Sequence, residues 1–125
     1  MVSFPALTPM KLGTRLTKDL SDLSPAPAFH RRYREIVGSL GYLVTMTRPD
    51  LAWSYSEPSK DVQYPGQAHM DAALHVLLYL RGTYDQAILY QHVDVLADTL
   101  WGWVDSDWAA DVDSRRYTGY IIMLN

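Results

Sequence analysis

Apolar residues recur at helical spacing in the first half of the chain. From Phe29 onward they follow one another at steps of three and four positions, which places them on one side of a helix: Tyr33, Ile36, Val37, Leu40, Leu43 and Val44. This pattern predicts a first helix over residues 29–46. Pro49 disfavours helical geometry at Arg48, so the chain is expected to break and restart there.

A second helix is expected to begin at Asp50 and to run toward Val62, because the preceding proline suits a first helical turn. Pro58 falls in the interior of this helix. A proline in such a position costs about 3 kcal/mol. The second helix should therefore be short or kinked.

The third helix has the clearest pattern in the chain. After the turn at residues 64–66, apolar residues return at steps of three and four: Met70, Ala73, Leu74, Leu77 and Leu78. They predict a helix from Gln67 to Arg81, with Gly82 as its C-cap.

After Gly82 the pattern changes to short runs of β-forming residues at 87–90, 100–104 and 117–124. The end of the last run, residues 120–124, is almost wholly apolar and needs cover on both faces, so we expect the C-terminus to cut through a domain. Residues 1–28 hold four prolines and are expected to form an extended arm. The predicted fold class is α+β, with a helical unit at 29–83 and an incomplete β segment at 84–125.

Composition narrows the class of protein. The chain has 125 residues, 48% of them hydrophobic, which fits one folded domain rather than a disordered chain. It has no cysteine, which excludes disulfides, thiolate zinc sites and cysteine nucleophiles. It also lacks a signal-peptide pattern and an apolar run long enough to span a bilayer. We therefore expect an intracellular protein, in cytoplasm or nucleus, that is neither secreted nor membrane-bound.

Positive charge gathers near the start of the first helix. Arg31, Arg32 and Arg34 flank Tyr33 there, and Arg48 follows the helix. Such a group can contact phosphates, with the tyrosine available for stacking on bases. The alternative is an ordinary solvated helix end.

Negative charge gathers in the C-terminal third, where Asp105 and Asp107 close a β-rich run. If the strand persists, the two carboxylates share a face and can hold a hard cation such as Mg²⁺. A solvated strand end is the alternative. The histidines show no pair four positions apart, so a helical zinc site is not expected, and His69 is expected to cap or pack. Gly-rich phosphate loops and serine-nucleophile elbows do not occur in the sequence.

Five ordered blocks resemble the copia-type retrotransposon polyprotein: TPM at 8–10, YREIVGSLGYL at 33–43, TRPDLA at 47–52, LLYLRGT at 77–83 and VDSDWA at 104–109. The resemblance continues through Asp111, the pair Arg115-Arg116 and residues 118–120, so it covers nearly the whole chain. It implies the thumb and connection region of a reverse transcriptase, running into the start of a ribonuclease H domain.

The resemblance also implies roles for particular residues. The helical unit would be thumb-like and would hold a primer–template or an RNA–DNA hybrid, with Arg31, Arg32, Arg34 and Arg48 contacting the nucleic-acid backbone. Asp105 matches the first metal-binding carboxylate of the ribonuclease H fold. In the intact parent enzyme it would help to hold two Mg²⁺ ions that activate water for cleavage of RNA.

Departures from the family pattern limit this expectation. The polymerase Tyr-x-Asp-Asp motif is absent, and the later ribonuclease H carboxylates would lie beyond Asn125. The parent family is an RNA-directed DNA polymerase and ribonuclease H, but this chain alone is expected to be inactive and to bind no Mg²⁺ stably. It would need the remainder of the polyprotein for a complete fold. Two alternatives stay open: a nucleic-acid-binding module that uses the basic helix, and a small interaction module whose apolar strand recruits a partner.

Overall fold

The computed structural model describes residues 5–17, 26–89, 100–107 and 117–124. The chain divides into two compact units, residues 1–88 and residues 89–125. Three helices and a two-stranded antiparallel sheet confirm the predicted α+β class. No helix in the described ranges is both long and apolar enough to cross a membrane.

Helix α1 spans Pro27–Met46, two residues more than predicted at its start. Pro27 explains the difference, because proline fits the first turn, where its missing N–H is not needed. The helix ends at Thr47, whose backbone N–H donates to the carbonyl of Leu43.

The second helix is short, which was one of the two predicted outcomes. A 3₁₀ turn at Pro49–Leu51 leads into α2 at Ala52–Ser59. Pro58 lies in the last turn of α2 and is fully buried. The helix ends one residue after this proline, whose buried side chain adds to the core.

Helix α3 spans Gln67–Gly82, as predicted, but its end differs. Gly82 is the last helical residue and Thr83 is the C-cap, so the expected glycine C-cap is wrong. The hydroxyl of Thr83 donates to the carbonyl of Tyr79, and Arg48 donates to the carbonyl of Thr83. Because side chains satisfy these carbonyls, no left-handed glycine is required.

The predicted apolar stripes meet in two adjoining clusters. In one, Tyr33 and Val37 of α1 pack on Met70 and Ala73 of α3. In the other, Leu40 of α1 packs with Leu51 and Val76. Burying a side chain of this size stabilises a fold by about 1.5–3 kcal/mol, so these contacts hold the three helices together.

Residues 5–17, here called the strap, lie along α3. Pro5 packs against Gly82, and the carbonyl of Thr8 accepts a hydrogen bond of 3.0 Å from Nε2 of His75. The following strap residues reach the start of α3, so the strap runs antiparallel to the helix. There they border an open cleft of about 290 Å³ with Ala68, Asp71, Ala72 and His75. Of the rest of the predicted arm, residues 1–4 and 18–25 lie outside the described residues, whereas residues 27–28 belong to α1, so the predicted arm is wrong there.

Gly82→Ala is expected to release the strap. An added Cβ would stand 2.5 Å from Cβ of Pro5, while alanine favours the helix itself. Trypsin should then cut after Lys11 and Arg15 about fivefold faster than in wild type. Destabilising the bound strap by about 1 kcal/mol raises the population of the released strap by that factor. Gly38→Ala is the control, because a Cβ there meets nothing within 4 Å. Equal cleavage rates in both variants would show that Gly82 does not hold the strap.

The second unit contains a β-hairpin. Strand β1, Leu100–Asp107, pairs with β2, Tyr117–Leu124, in an antiparallel register from Leu100 opposite Leu124 to Asp107 opposite Tyr117. Strand β1 runs three residues beyond its predicted end. The first predicted run is wrong over 87–89, which form no strand and pair with neither of the described strands. Tyr90 lies outside the described residues.

Both faces of the hairpin carry exposed apolar side chains. Trp101 and Trp103 pack edge to face, with ring centroids 4.6 Å apart, and each remains more than 40% exposed. The opposite face exposes Val104, Tyr120 and Ile122. Two bare apolar faces are typical of strands that lie inside a larger sheet.

Candidate nucleic-acid interface and carboxylate site

The arginines of α1 lie in its first two turns and are all exposed. Arg31 and Arg34 are three positions apart and share a face, whereas Arg32 lies about 100° round the helix from Arg31. An open groove of about 530 Å³ runs along the shared face and is lined by Pro27, His30, Arg31, Arg34 and Glu35. The structure therefore brings two of the four predicted arginines together.

His30 fixes the groove to the rest of the helical unit. Its Nε2 atom lies 2.7 Å from the carbonyl oxygen of Val62, in the connection between α2 and α3. A carbonyl oxygen only accepts hydrogen bonds, so Nε2 carries the hydrogen. The first turn of α1 is thereby held in place by a side chain that also lines the groove.

Tyr33 is not available for stacking, which corrects that expectation. It is 0% exposed, and its hydroxyl donates a 2.6 Å hydrogen bond to the carbonyl of Pro58. Burial, together with the negative charge of Asp61, raises the pKa of the Tyr33 hydroxyl above its usual value. Tyr33 belongs to the core because it lies on the same side of α1 as Val37.

Tyr42 is the exposed aromatic residue of this helix, at 67% exposure, and sequence reasoning missed it. Steps of three and four residues lead from Arg31 through Arg34 and Gly38 to Tyr42, which places all four on one face. This face, defined by those four residues, is called the outward face of α1. Its helical spacing was the signal that could have identified Tyr42.

Arg48 does not join the other arginines. It is 6% exposed, and its guanidinium forms a two-pronged ion pair with the carboxylate of Asp50, with N···O distances of 2.9 and 2.8 Å. The same group donates to the carbonyl and hydroxyl oxygens of Thr83, at 2.8 and 2.9 Å. Its donors are therefore used inside the fold.

The pKa shifts of Arg48 and Asp50 agree with this ion pair. The hydrogen bond from Arg48 holds the pKa of the Asp50 carboxyl below its usual value, and the same bond raises the pKa of the guanidinium. The Arg48 guanidinium also lies 5.7 Å from the ring centre of Tyr79. The contacts of Arg48 with Asp50 and Thr83 thereby link the 3₁₀ turn before α2 to the end of α3.

His69 both caps and packs, the two roles expected of it. Its Nδ1 accepts a 3.2 Å hydrogen bond from the backbone N–H of Gly66 at the start of α3, so the neutral ring carries its hydrogen on Nε2. The ring is 1% exposed and meets Tyr33 edge to face. Its Nε2 lies 3.5 Å from the carboxylate of Asp61, too far for a strong hydrogen bond.

The predicted carboxylate site lies on β1. Asp105 is exposed and stands opposite Gly119, and the strand persists through Asp107, as the prediction required. In the part of the chain that the structure describes, no group of three or more possible ligands could hold a metal ion. These residues alone do not fit a Mg²⁺ site, and the metal-binding role of Asp105 stays a prediction.

Comparison with curated proteins finds transposon polyproteins and a secreted effector protein. The chain is 39% identical over 121 residues, 96% of its length, to the retrovirus-related Pol polyprotein from transposon RE2 of Arabidopsis thaliana, and it covers 8% of that protein. It is 38% identical over 90 residues, 71% of its length, to the Pol polyprotein from transposon TNT 1-94 of Nicotiana tabacum, of which it covers 7%. It is also 38% identical over 94 residues to secreted RxLR effector protein 161 of Plasmopara viticola, covering 74% of this chain and 65% of that one.

The other two comparisons found no match: no protein-family profile fits the chain, and no solved structure resembles it significantly. The chain spans less than a tenth of the length of the transposon polyproteins. Identity of 35–39% with three such polyproteins nevertheless extends over 71–96% of this chain. The chain therefore belongs to the family of retrovirus-related Pol polyproteins of copia-type transposons.

Proposed function

We propose that the helical unit is a nucleic-acid-holding part of a copia-type Pol polyprotein, and that it contacts a primer–template or RNA–DNA hybrid through the outward face of α1. The observation that carries this proposal is the alignment of two exposed arginines, an open glycine and an exposed tyrosine along one helix face. The arginines can pair with phosphates, the glycine lets a strand approach the helix closely, and the tyrosine can pack on sugars and base edges.

The dimensions of the face suit a duplex. Eight residues of helix separate Arg34 from Tyr42, which is about 12 Å. That distance corresponds to about three or four base steps of a nucleic-acid strand. Gly38 lies between them and has nothing within 4 Å of the position of a Cβ, so a strand can approach the helix backbone closely.

The chemistry of the face suits it too. The guanidinium groups of Arg31 and Arg34 can each pair with a phosphate, and the exposed ring of Tyr42 can pack on sugars and base edges. Arg32 points round the helix, where it can reach a flanking phosphate. Arg48 is left out of this contact, because its donors are already bonded to Asp50 and Thr83.

The hairpin is proposed to begin a ribonuclease H-like domain, in which Asp105 is one metal ligand. The other carboxylates, and the cover for the exposed apolar faces of β1 and β2, would come from the remainder of the polyprotein. On this proposal the chain alone assembles no two-metal centre and hydrolyses no RNA. Mg²⁺ would act only in the intact parent enzyme, where it activates water for cleavage.

The proposed contact predicts binding that depends strongly on salt. Titration of a fluorescent RNA–DNA hybrid with the full chain at several salt concentrations measures it. The double variant Arg31→Gln/Arg34→Gln should lower the affinity about tenfold and reduce the slope of log affinity against log salt by about two, since each phosphate contact contributes about 0.9. Arg81→Gln, which removes an exposed charge from α3, is the matched control. If the two variants behave alike, or if binding ignores salt, the outward face of α1 is not the contact.

A further inference from the structure

We propose that the cleft between the strap and α3 binds a small anion with an apolar body, of the aryl carboxylate class. The cleft, of about 290 Å³, combines apolar side chains with positive charge at its rim. Its residues belong to the strap and to α3 and are separate from the outward face of α1. Failure of this inference would therefore leave the proposed function standing.

A tight turn in the strap shapes one wall of the cleft. The backbone N–H and the hydroxyl of Thr14 both donate to the carbonyl of Lys11, at 3.2 and 2.7 Å. Gly13 lies inside this four-residue turn with a φ of +75°, the left-handed geometry that favours glycine. The turn brings Lys11 and Thr14 to the cleft wall, while the side chain of Leu12 is fully exposed to solvent.

Small side chains on α3 leave room for a ligand. Ala68 and Ala72 are four positions apart, so both lie on the helix face that borders the strap. Met10 and Leu16 of the strap add apolar surface to the same cleft. Its volume of about 290 Å³ is at the lower end of the range for ligand sites, about 300–1,000 Å³. One or two fused rings fit such a space, whereas a helix about 10 Å wide does not.

Positive charge at the rim favours an anion. Lys11 and Arg15 are exposed, and no ion pair joins either of them to another described residue. Asp71 contributes a negative charge to the wall, but its carboxylate already accepts a 2.7 Å hydrogen bond from the side-chain amide of Gln67. Two positive charges and one negative charge leave the wall at +1 when His75 is neutral. A carboxylate can pair with either cation while its ring packs on the alanines.

A nucleic-acid backbone would use only part of this cleft. Its phosphates would pair with Lys11 and Arg15, but they would leave the apolar side of the cleft without a partner. Apolar surface and unpaired positive charge in one small cleft therefore favour a compact apolar acid.

The test is a titration of the full chain with naphthoate, followed by saturation-transfer NMR, beside the uncharged naphthalenemethanol. A ligand of this size should bind wild type with a dissociation constant of about 0.1–1 mM. Ala72→Leu fills the cleft and should weaken naphthoate binding at least about tenfold. The double variant Lys11→Gln/Arg15→Gln should weaken it about fivefold and leave binding of the alcohol unchanged, because only the carboxylate pairs with the cations.

Ala52→Leu makes the same change at an exposed position of α2 and is the matched control, with wild-type binding expected. Thermal melts check that each variant is folded. Undetectable naphthoate binding, or equal binding by Ala72→Leu and wild type, would overturn the proposal; binding at the exposed apolar hairpin would give the second result. The proposal would also fall if Lys11→Gln/Arg15→Gln lost affinity for an RNA–DNA hybrid and kept its affinity for naphthoate, since the two cations would then serve nucleic acid.

A bound ligand should also hold the strap in place, because the site exists only while the strap lies on α3. Naphthoate at ten times its dissociation constant should slow tryptic cleavage after Lys11 and Arg15 about tenfold. The same concentration should not protect Ala72→Leu, which also controls for any effect on trypsin itself. Equal cleavage of wild type with and without naphthoate would contradict a site shared by the strap and α3.

Discussion

Arg48→Met should cost the helical unit about 3 kcal/mol of its free energy of unfolding. Breaking a fully buried ion pair costs about 3–5 kcal/mol, and this pair should contribute less than that, because the side chain of Asp50 is 40% exposed and can be hydrated once Arg48 is gone. The carbonyl of Thr83 also loses a charged donor. A domain of this size is stable by about 5–15 kcal/mol, so the loss is large.

Urea unfolding followed by helical circular dichroism measures this loss. Arg48→Lys should recover only part of it, since an ammonium cannot replace a guanidinium that holds Asp50 in two places and Thr83 in two more. Arg81→Met, at an exposed site, should change stability by no more than about 0.5 kcal/mol. Equal effects at Arg48 and Arg81 would contradict the structural role of Arg48.

The pair also predicts a pH dependence with a definite sign. The pKa of Asp50 is lower in the folded chain than in the unfolded chain because Arg48 stabilises its charged form. The resulting stabilisation is present above about pH 3.9, the ordinary carboxyl value, and is lost as the pH falls through the lowered pKa. The difference in stability between wild type and Arg48→Met should therefore be constant from pH 5 to pH 8 and shrink below about pH 4.

Two glycines of α1 should respond oppositely to alanine. Gly38→Ala should raise the free energy of unfolding by about 0.5–1 kcal/mol, because glycine weakens a helix and the added Cβ meets nothing within 4 Å. Gly41→Ala puts a Cβ 2.8 Å from the hydroxyl of Tyr55 and 3.0 Å from its Cζ. Overpacking costs about 1–3 kcal/mol, which outweighs the gain in helix propensity, so this variant should lose about 1 kcal/mol.

Thermal and urea unfolding of the two variants, compared in the same buffer, check this pair. Each is the control for the other, since both make the same chemical change on the same helix three positions apart. A destabilised Gly38→Ala would mean that its face of α1 is covered. A stabilised Gly41→Ala would mean that α1 and α2 do not meet at Tyr55.

Sequence patterns predicted the three helices because apolar steps of three and four residues mark the buried side of α1 and α3. Their ends were predicted less well: α1 begins two residues early at Pro27, α2 stops at Ser59, and Thr83 is the C-cap of α3. The same steps also placed Tyr33 on the apolar side, although its neighbouring arginines drew attention to it as a stacking residue. Whether a tyrosine of α1 is exposed depends on its position around the helix axis and not on the charge of its neighbours. Tyr42 lies on the exposed side of the helix and Tyr33 on the buried side.

Long-range contacts were beyond the sequence patterns. Arg48 and Thr83 are 35 positions apart, and nothing in either segment alone indicates that they bond. The expectation that Arg48 contacts nucleic acid followed from its charge, whereas its burial follows from the way α2 and α3 pack. Residues 87–89 of one predicted strand are β-forming, but a strand also needs a partner, which a local pattern cannot supply.

The most direct test of the account is the affinity of Gly38→Gln for an RNA–DNA hybrid, measured beside its thermal stability. Glutamine favours a helix, carries no charge and adds only bulk at the centre of the outward face of α1. If nucleic acid contacts that face, the variant should be at least as stable as wild type and should bind about tenfold more weakly. Wild-type affinity in a variant of wild-type stability would contradict the proposal that this face holds nucleic acid.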